Sequence, residues 1–410
     1  MSTINYTPVS KPFLVTGVIL SFIGTGIGSV WMLGFFGIAM PEQITPIFSV
    51  HRIFQLNGFV TLMIMGIGYM IIPRMRNELT PSNKLAKISY LFVVFSIAVD
   101  FAGSVMSGDY SDVATMLRLI GVSIFGGLMF YTLRILPKLL RESDYFIAIS
   151  ISLLVASQVM SLFDVHQNVL IQKQMWLFFP ILMIFAIQYK TLPSFLGFIR
   201  PKRRIVVVSV GLAIVSGAFA LASGIFPSMI LDVAFNISLI ATVSCFVLSL
   251  YVFGGFDDTE ILKLISGEKK KRYHTIILHS RIAYGFLLAG LLLGTIHAMH
   301  LTNFALYDLT IHYIAIGFIG ITIMLYLPIM IPPILEKSIR FLDFNHIPLI
   351  LIISAIAIRT IGDVIVSAGS FPQPFVIFGI SGFVILAGMF LFVRMIHRAM
   401  KNTNSELSIV

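Results

Sequence analysis

Charge is what this sequence has least of. Of 410 residues only 11% are charged and 58% are hydrophobic, against roughly a quarter and just under half in ordinary soluble domains. A water-facing surface needs more charge than this, so a soluble globular protein is excluded. The apolar excess excludes a disordered chain too. Cysteine is almost missing. Cys245 is the single one, which excludes an internal disulfide and any cysteine-based zinc or iron–sulfur site within one chain. Acidic residues are scarce beside basic ones, 18 against 28, leaving a net charge of +10.

What is present is a series of long apolar runs. A bilayer-spanning helix needs about 20 mainly apolar residues. Such runs are expected at 13–38, 51–73, 88–107, 112–136, 145–165, 174–198, 205–226, 229–254, 275–299, 306–332, 345–368 and 375–397. The expected fold is an all-α polytopic membrane protein, a bundle of about twelve transmembrane helices forming one integral-membrane domain over 1–410. The longest loop, 255–273, is too short to fold alone. A short tail is expected at 398–410. The polar start MSTINYTPVSK has no small-residue cleavage site before a short apolar core, so the first span is expected to be retained.

The basic residues are sorted. Arg74, Arg76, Lys84 and Lys87 follow span 2, and Arg134, Lys138 and Arg141 follow span 4. Arg200, Lys202, Arg203 and Arg204 follow span 6, and Lys263 with the run Lys269–Arg272 follows span 8. Lys337 and Arg340 follow span 10, and Arg394, Arg398 and Lys401 close span 12. Loops after odd-numbered spans hold almost none. This alternation predicts cytoplasmic termini and cytoplasmic 255–273 and 398–410 segments. The positive balance is therefore a topology signal. It calls for membrane lipids as partners and for no nucleic acid. Anionic lipid is one use for the KKKR run (269–272), and a solvated loop is the other.

Two runs echo each other. Span 2 reads GFVTLMIMGIGYMIIP from Gly58 to Pro73, and span 10 reads GFIGITIMLYLPIMIP from Gly317 to Pro332. His51 precedes the first Gly-Phe pair and His312 the second. Chance likeness of two apolar helices is the competing explanation. Spans 2 and 8 show no such match, so a simple duplication of six-span halves is not expected.

Histidine within a membrane is costly without a partner and points to function. His51, His166, His297, His300 and His312 all fall towards the expected outer face, while His274, His346 and His397 sit at inner helix ends. Imidazole ligates haem iron and copper, and two facing helices can hold haem between axial histidines. His51 and His312 suit that role by depth. Gly58, Gly66, Gly68, Gly317 and Gly320 would give a flat macrocycle room, or would serve helix packing. His297 and His300 share a helix face at i,i+3 and could chelate a metal ion, or be a hydrated interfacial pair. His279 lies about 27 Å along the same helix from His297, too far to join the outer group.

Buried charges have two readings. Arg359 and Asp363 stand at i,i+4, and Asp100 and Arg118 lie at similar depth on spans 3 and 4, so both pairs can neutralise. Alternatively an arginine such as Arg359, or Arg281 beside His279, holds an anionic group such as a haem propionate.

The segments LHSRIAYGFLLAG (278–290), LTIHYIAIGFIGITIMLYLPIMIPPIL (309–335), HRIFQLNGF (51–59), KTLPSFLGF (190–198) and AIAIR (355–359) together resemble the NnrS family. That resemblance implies a twelve-span membrane protein carrying haem and copper, linked to nitric oxide metabolism and nitrosative stress. It implies metal-linked roles for His51, His279 and His312. The family's early helix carries a second histidine and a glutamate where this chain has Ile53 and Phe54, so any copper ligand they supply is absent. The chain is similar, more distantly, to haem-copper oxidase subunit I, which places haem histidines on spans 2 and 10. Its copper histidines on spans 6 and 7 have no counterpart here, which argues against an oxidase-type binuclear centre.

The expectation is a haem-binding membrane protein with b-type haem and His51, His312, His279 and Arg359 at the cofactor. Copper is a further candidate, with His51, His312, His297 and His300 as metal ligands. A quinol, an external electron carrier or respiratory-complex subunits are the expected partners, and the expected location is the cytoplasmic membrane of a prokaryote. Competing functions are a proton-coupled secondary transporter and a non-catalytic subunit of a respiratory complex.

Overall fold

The computed structural model describes residues 9–35, 47–76, 78–106, 110–134, 142–163, 169–254, 263, 267–299, 303–335, 345–367 and 376–406. Among these residues there is no strand, and twelve helices are long and apolar enough to cross a membrane. They are α1 Ser10–Phe35, α2 Ile47–Met75, α3 Asn83–Met106, α4 Ser111–Arg134, α5 Glu142–Leu162 and α6 Val169–Leu196. Then come α7 Arg203–Ile225, α8 Met229–Leu250, α9 Gly267–Ala298, α10 Phe304–Leu335, α11 Ile347–Ser367 and α12 Ser381–Glu406. Helices suit apolar surroundings, because each satisfies its own backbone hydrogen bonds. The outward faces agree: Leu91, Phe95, Met106, Val207, Val208 and Phe390 are large, apolar and exposed, a pattern consistent with an integral membrane protein.

The twelve helices match the apolar runs, with two changes. α9 begins at Gly267, so the Lys269–Arg272 run forms the first turns of a helix rather than part of a loop. α12 continues to Glu406 and absorbs most of the expected tail. Residues 255–262 and 264–266 of the expected cytoplasmic loop lie outside the described residues.

Close packing divides the chain into two compact units. The first holds residues 1–135 and 323–410, and the second holds 136–322. Burial follows a four-helix rhythm. The central stretch of α2 is 89% buried, that of α6 83% and that of α10 61%, while α3, α7 and α12 stay near 22–33%.

In the first unit, Phe13, Tyr69, Tyr90 and Phe125 form an aromatic knot, with Tyr69 edge-on to Phe125 at 5.0 Å. The Tyr69 hydroxyl donates to Ser89 Oγ at 3.0 Å, as a buried phenol must find a partner. Pro73 lies inside α2 and cannot donate to the Tyr69 carbonyl one turn earlier. The Thr80 hydroxyl fills that vacancy at 3.1 Å.

In the second unit, Phe185 stacks on Phe246 at 3.9 Å, Phe246 on Tyr284 at 5.7 Å, and Tyr284 meets Phe318 at 5.3 Å. The Tyr284 hydroxyl donates to Gln188 Oε1 in the middle of this stack. Arg281 donates from Nε to the Val252 carbonyl at 2.7 Å. It thereby satisfies an orphan acceptor just past the α8 terminus, where a cation also suits the helix dipole. That contact gives Arg281 a structural role.

The echo between spans 2 and 10 has a structural counterpart. α2 consists of an α-helical turn Ile47–Ile53, a π-helix Phe54–Thr61 and an α-helix Leu62–Met75. α10 repeats this as Phe304–His312, a π-helix Tyr313–Gly320 and Ile321–Leu335. Each π stretch has eight residues with the Gly-Phe pair fifth and sixth. A π turn is wider than an α turn and is rare, so its recurrence at one register argues against chance.

The neighbouring helices repeat as well. A β-carbon on Gly58 would come within 2.7 Å of Leu20 on α1, and one on Gly317 within 2.6 Å of Phe286 on α9. Four residues further along those helices, Gly24 lies against Phe54 and Gln55, and Gly290 against Tyr313 and Ile314. Four residues beyond these, Gly28 lies against His51, and Gly294 against Thr310. The α1–α2 and α9–α10 hairpins therefore share one packing register, built on glycines at i,i+4 that let two backbones approach. In that register the counterpart of His51 is Thr310, and His312 stands two residues on.

Candidate histidine site

His51 is held by the hairpin that contains it. Its Nδ1 lies 2.7 Å from the Gly24 carbonyl of α1. A carbonyl can only accept, so Nδ1 carries the proton and Nε2 carries the lone pair. Gly28 makes room for the ring: a β-carbon there would lie 2.5 Å from both Cε1 and Nδ1. One turn on, Gln55 donates from Nε2 to the Ser21 carbonyl at 3.1 Å and to Thr25 Oγ1 at 2.9 Å. Both side chains lock α2 onto α1. The GTGIG segment that supplies Gly24 and Gly28 has the small-x-x-x-small spacing, which was a legible signal for this contact.

His312 is arranged the same way by a different route. Its Nδ1 lies 2.8 Å from the Asp308 carbonyl one turn earlier and 3.3 Å from the Asp308 carboxylate. His279, buried on α9, sets its Nδ1 against the Thr275 carbonyl at 2.7 Å. All three candidate ligands thus direct Nε2 as the lone-pair nitrogen. Fixing the tautomer through the other ring nitrogen is how proteins prepare an imidazole to bind a metal.

The remaining candidates are placed as follows. His297 lies in the last turn of α9, with its ring 5.7 Å from that of Tyr307. His300 and His166 lie outside the described residues, so the His297–His300 pair does too. Arg359 is buried on α11, its Nε 4.0 Å from Asp363 Oδ2, which is the expected i,i+4 pair. The expected pair across α3 and α4 is closer, with Arg118 Nη1 at 2.6 Å from Asp100 Oδ2. Thr115 Oγ1 accepts from Arg118 Nη2 at 3.2 Å, and Asn57 Nδ2, inside the α2 π turn, reaches Asp100 Oδ2 at 3.5 Å. His51 and Arg359 belong to the first unit, and His279, His297 and His312 to the second.

The glycines do not form the bed expected for a macrocycle. Gly58, Gly66, Gly68 and Gly317 are occupied by Leu20, Phe13, Phe125 and Phe286, so they serve helix packing. Gly320 meets only its own helix, at Ala315 O. The donor chemistry is still of the kind that ligates haem iron, since three imidazoles are each held through Nδ1. Among the described residues no three or more of His, Cys, Asp and Glu converge as they would for a metal-ion site. Compared with protein-family models and with curated proteins, the sequence matches none.

Proposed function

We propose that this chain is a haem-binding integral membrane protein of the NnrS-like type, acting in nitric oxide metabolism or response, or in membrane electron transfer. The observation that carries the reading is the His51 tautomer. A carbonyl from the preceding helix fixes Nδ1–H, a glycine clears space for the ring, and Nε2 is the nitrogen with the lone pair a metal would use. His312 and His279 are further proposed ligands, His279 towards the expected inner face. Arg359 is the proposed anchor for an acidic edge of the cofactor. The proposed haem is b-type, since Cys245 is the single cysteine and stands in no C-x-x-C-H attachment motif, and copper is a further candidate. A haem supplies a one-electron couple or a site for a diatomic ligand. What the chain's own residues would supply is imidazoles oriented through Nδ1 and a cationic side chain for an acidic group.

In this reading the termini and the loops after even-numbered spans face the cytoplasm, which the sorted basic residues support, and the membrane is the cytoplasmic membrane of a prokaryote. A quinol or an external electron carrier is the proposed redox partner. The test is a reduced-minus-oxidised absorption spectrum of protein expressed with ample haem. Bands lost in His51→Ala and in His312→Ala are the expected result. Absence of bands in the wild type, with substrate-dependent uptake in proteoliposomes, would establish a transporter instead.

A further inference from the structure

α7 has two faces. Ser209, Ala213, Ser216, Ala220 and Ser223 are buried. Ser209 donates to the Thr242 carbonyl of α8 at 3.0 Å, and Ser216 donates to Ser238 Oγ at 2.9 Å. The other face carries Val207, Val208, Gly211, Ile214, Val215 and Ala218, all exposed. Spacing of three and four residues makes these one apolar stripe. From Val207 to Ala218 the stripe runs about 16 Å along the helix, close to one leaflet of a hydrocarbon core about 30 Å thick. Arg204 stands three and four residues before Val207 and Val208, so it continues the stripe at its inner end. Arg200, Lys202 and Arg203 lie beside it in sequence, and all four are exposed. The start of α7 is tied to the end of α8 by backbone, the Lys202 N–H donating to the Ser249 carbonyl at 3.3 Å, so that tie does not use the Lys202 side chain. No acidic residue occurs between Asp164 and Asp232, so neither α6 nor α7 supplies a carboxylate to these cations. Midway along the stripe, a β-carbon on Gly211 would have nothing within 4 Å, whereas one on Gly217 of the buried face would meet Leu153 at 3.6 Å. Glycine weakens a helix relative to alanine. Gly211 does so without a packing contact among the described residues, and it leaves a notch in the stripe.

We propose that this face of α7 binds one anionic phospholipid of the leaflet expected to be cytoplasmic. Arg200, Lys202 and Arg204 hold the headgroup phosphate, the guanidinium groups as forked donors and the ammonium as a point charge. An acyl chain lies along the stripe and enters the notch at Gly211. Basic residues at the inner end of a span attract anionic lipid in general. The stripe and notch add a place for the tail, which a free phosphate would leave unused. The surface belongs to α7 and the residues just before it. The inference rests on the integral-membrane reading and is independent of the haem.

The test is native mass spectrometry of the full-length protein from detergent, titrated with dioleoyl phosphatidylglycerol or dioleoyl phosphatidylcholine. The wild type is expected to hold phosphatidylglycerol about tenfold more tightly than phosphatidylcholine, as a few cations at a headgroup allow. Combining Arg200→Gln, Lys202→Gln and Arg204→Gln should abolish that preference. Gly211→Leu fills the notch and should weaken phosphatidylglycerol binding severalfold with the cations intact. Combining Lys269→Gln, Lys270→Gln and Lys271→Gln removes the same charge elsewhere and should keep the preference. Melting temperatures read alongside exclude misfolded protein. Equal affinity of the wild type for the two lipids overturns the inference, as does an equal loss in the 269–271 variant. Undiminished binding in Gly211→Leu, or displacement of the lipid by millimolar inorganic phosphate, overturns it too. Release of the chain from membranes by sodium carbonate refutes the integral-membrane reading instead.

Discussion

Gly28 lies against His51 so closely that a β-carbon there would sit 2.5 Å from two atoms of the imidazole ring. The ring and the helix therefore occupy one another's space only because position 28 has no side chain. Gly26, two residues earlier on the same helix, has nothing within 4 Å of the same hypothetical atom. This gives a matched pair. Gly28→Ala must push the ring off the Gly24 carbonyl, and overpacking of that kind costs about 1–3 kcal/mol. Gly26→Ala should be neutral or should stabilise by up to about 1 kcal/mol, as alanine does in a helix. Thermal unfolding in detergent measures both, and under the proposed haem reading haem content should fall in the first variant only.

The repeated hairpin makes a second comparison. Gly58 and Gly317 hold the same place in their π turns and meet Leu20 and Phe286 at 2.7 and 2.6 Å. Alanine at either is expected to destabilise by about 1–3 kcal/mol. Gly320→Ala, beside the second, should change stability by less than about 0.5 kcal/mol. Unequal penalties at 58 and 317 would show that the two hairpins do not share a packing register after all. Circular dichroism melts of the three variants decide it.

How much of this was legible in the sequence depends on the range of the interaction. The helices and their ends follow from apolar run length and flanking charge, which are local, and α4 and α7 fall within two residues of the expected limits. The Arg359–Asp363 pair was legible because i,i+4 spacing is itself geometry. Asp308 and His312 have that spacing too, but spacing alone does not say that the imidazole turns Nδ1 back onto its own helix. The Gly-Phe echo was visible, but its alignment was not. Residue type pairs His51 with His312, whereas contacts with α1 and α9 pair His51 with Thr310. That correspondence is set by neighbouring helices, which a single run of residues does not contain. The use of the glycines was likewise hidden: composition offers space beside Gly58, and only the fold says that Leu20 fills it.

The Tyr284–Gln188 pair sits among stacked aromatic rings, so its energetics should be asymmetric. Tyr284→Phe removes the donor and leaves the buried Gln188 amide oxygen without it, at a cost of about 1–3 kcal/mol. Adding Gln188→Leu removes the stranded acceptor and should recover much of that loss. A double-mutant cycle on thermal stability measures the coupling. Simple additivity of the two substitutions would mean that the hydrogen bond contributes nothing beyond packing.

The Asp100–Arg118 pair makes the strongest claim about charge inside the bundle. The two groups touch at 2.6 Å with side chains 14% and 9% exposed, and Thr115 and Asn57 complete the contacts. Removing one partner strands a buried charge, so Asp100→Leu or Arg118→Met alone should cost about 3–5 kcal/mol. Removing both replaces a desolvated pair by apolar surface of similar volume, and the double variant should be nearer to wild type than either single one. A proton-coupled transporter makes the opposite demand, since its buried acid must exchange protons during turnover. If the double variant retains haem and stability, the pair is a structural tie between α3 and α4. If it retains stability but abolishes a measurable proton-driven uptake, the transporter reading gains the residue it needs.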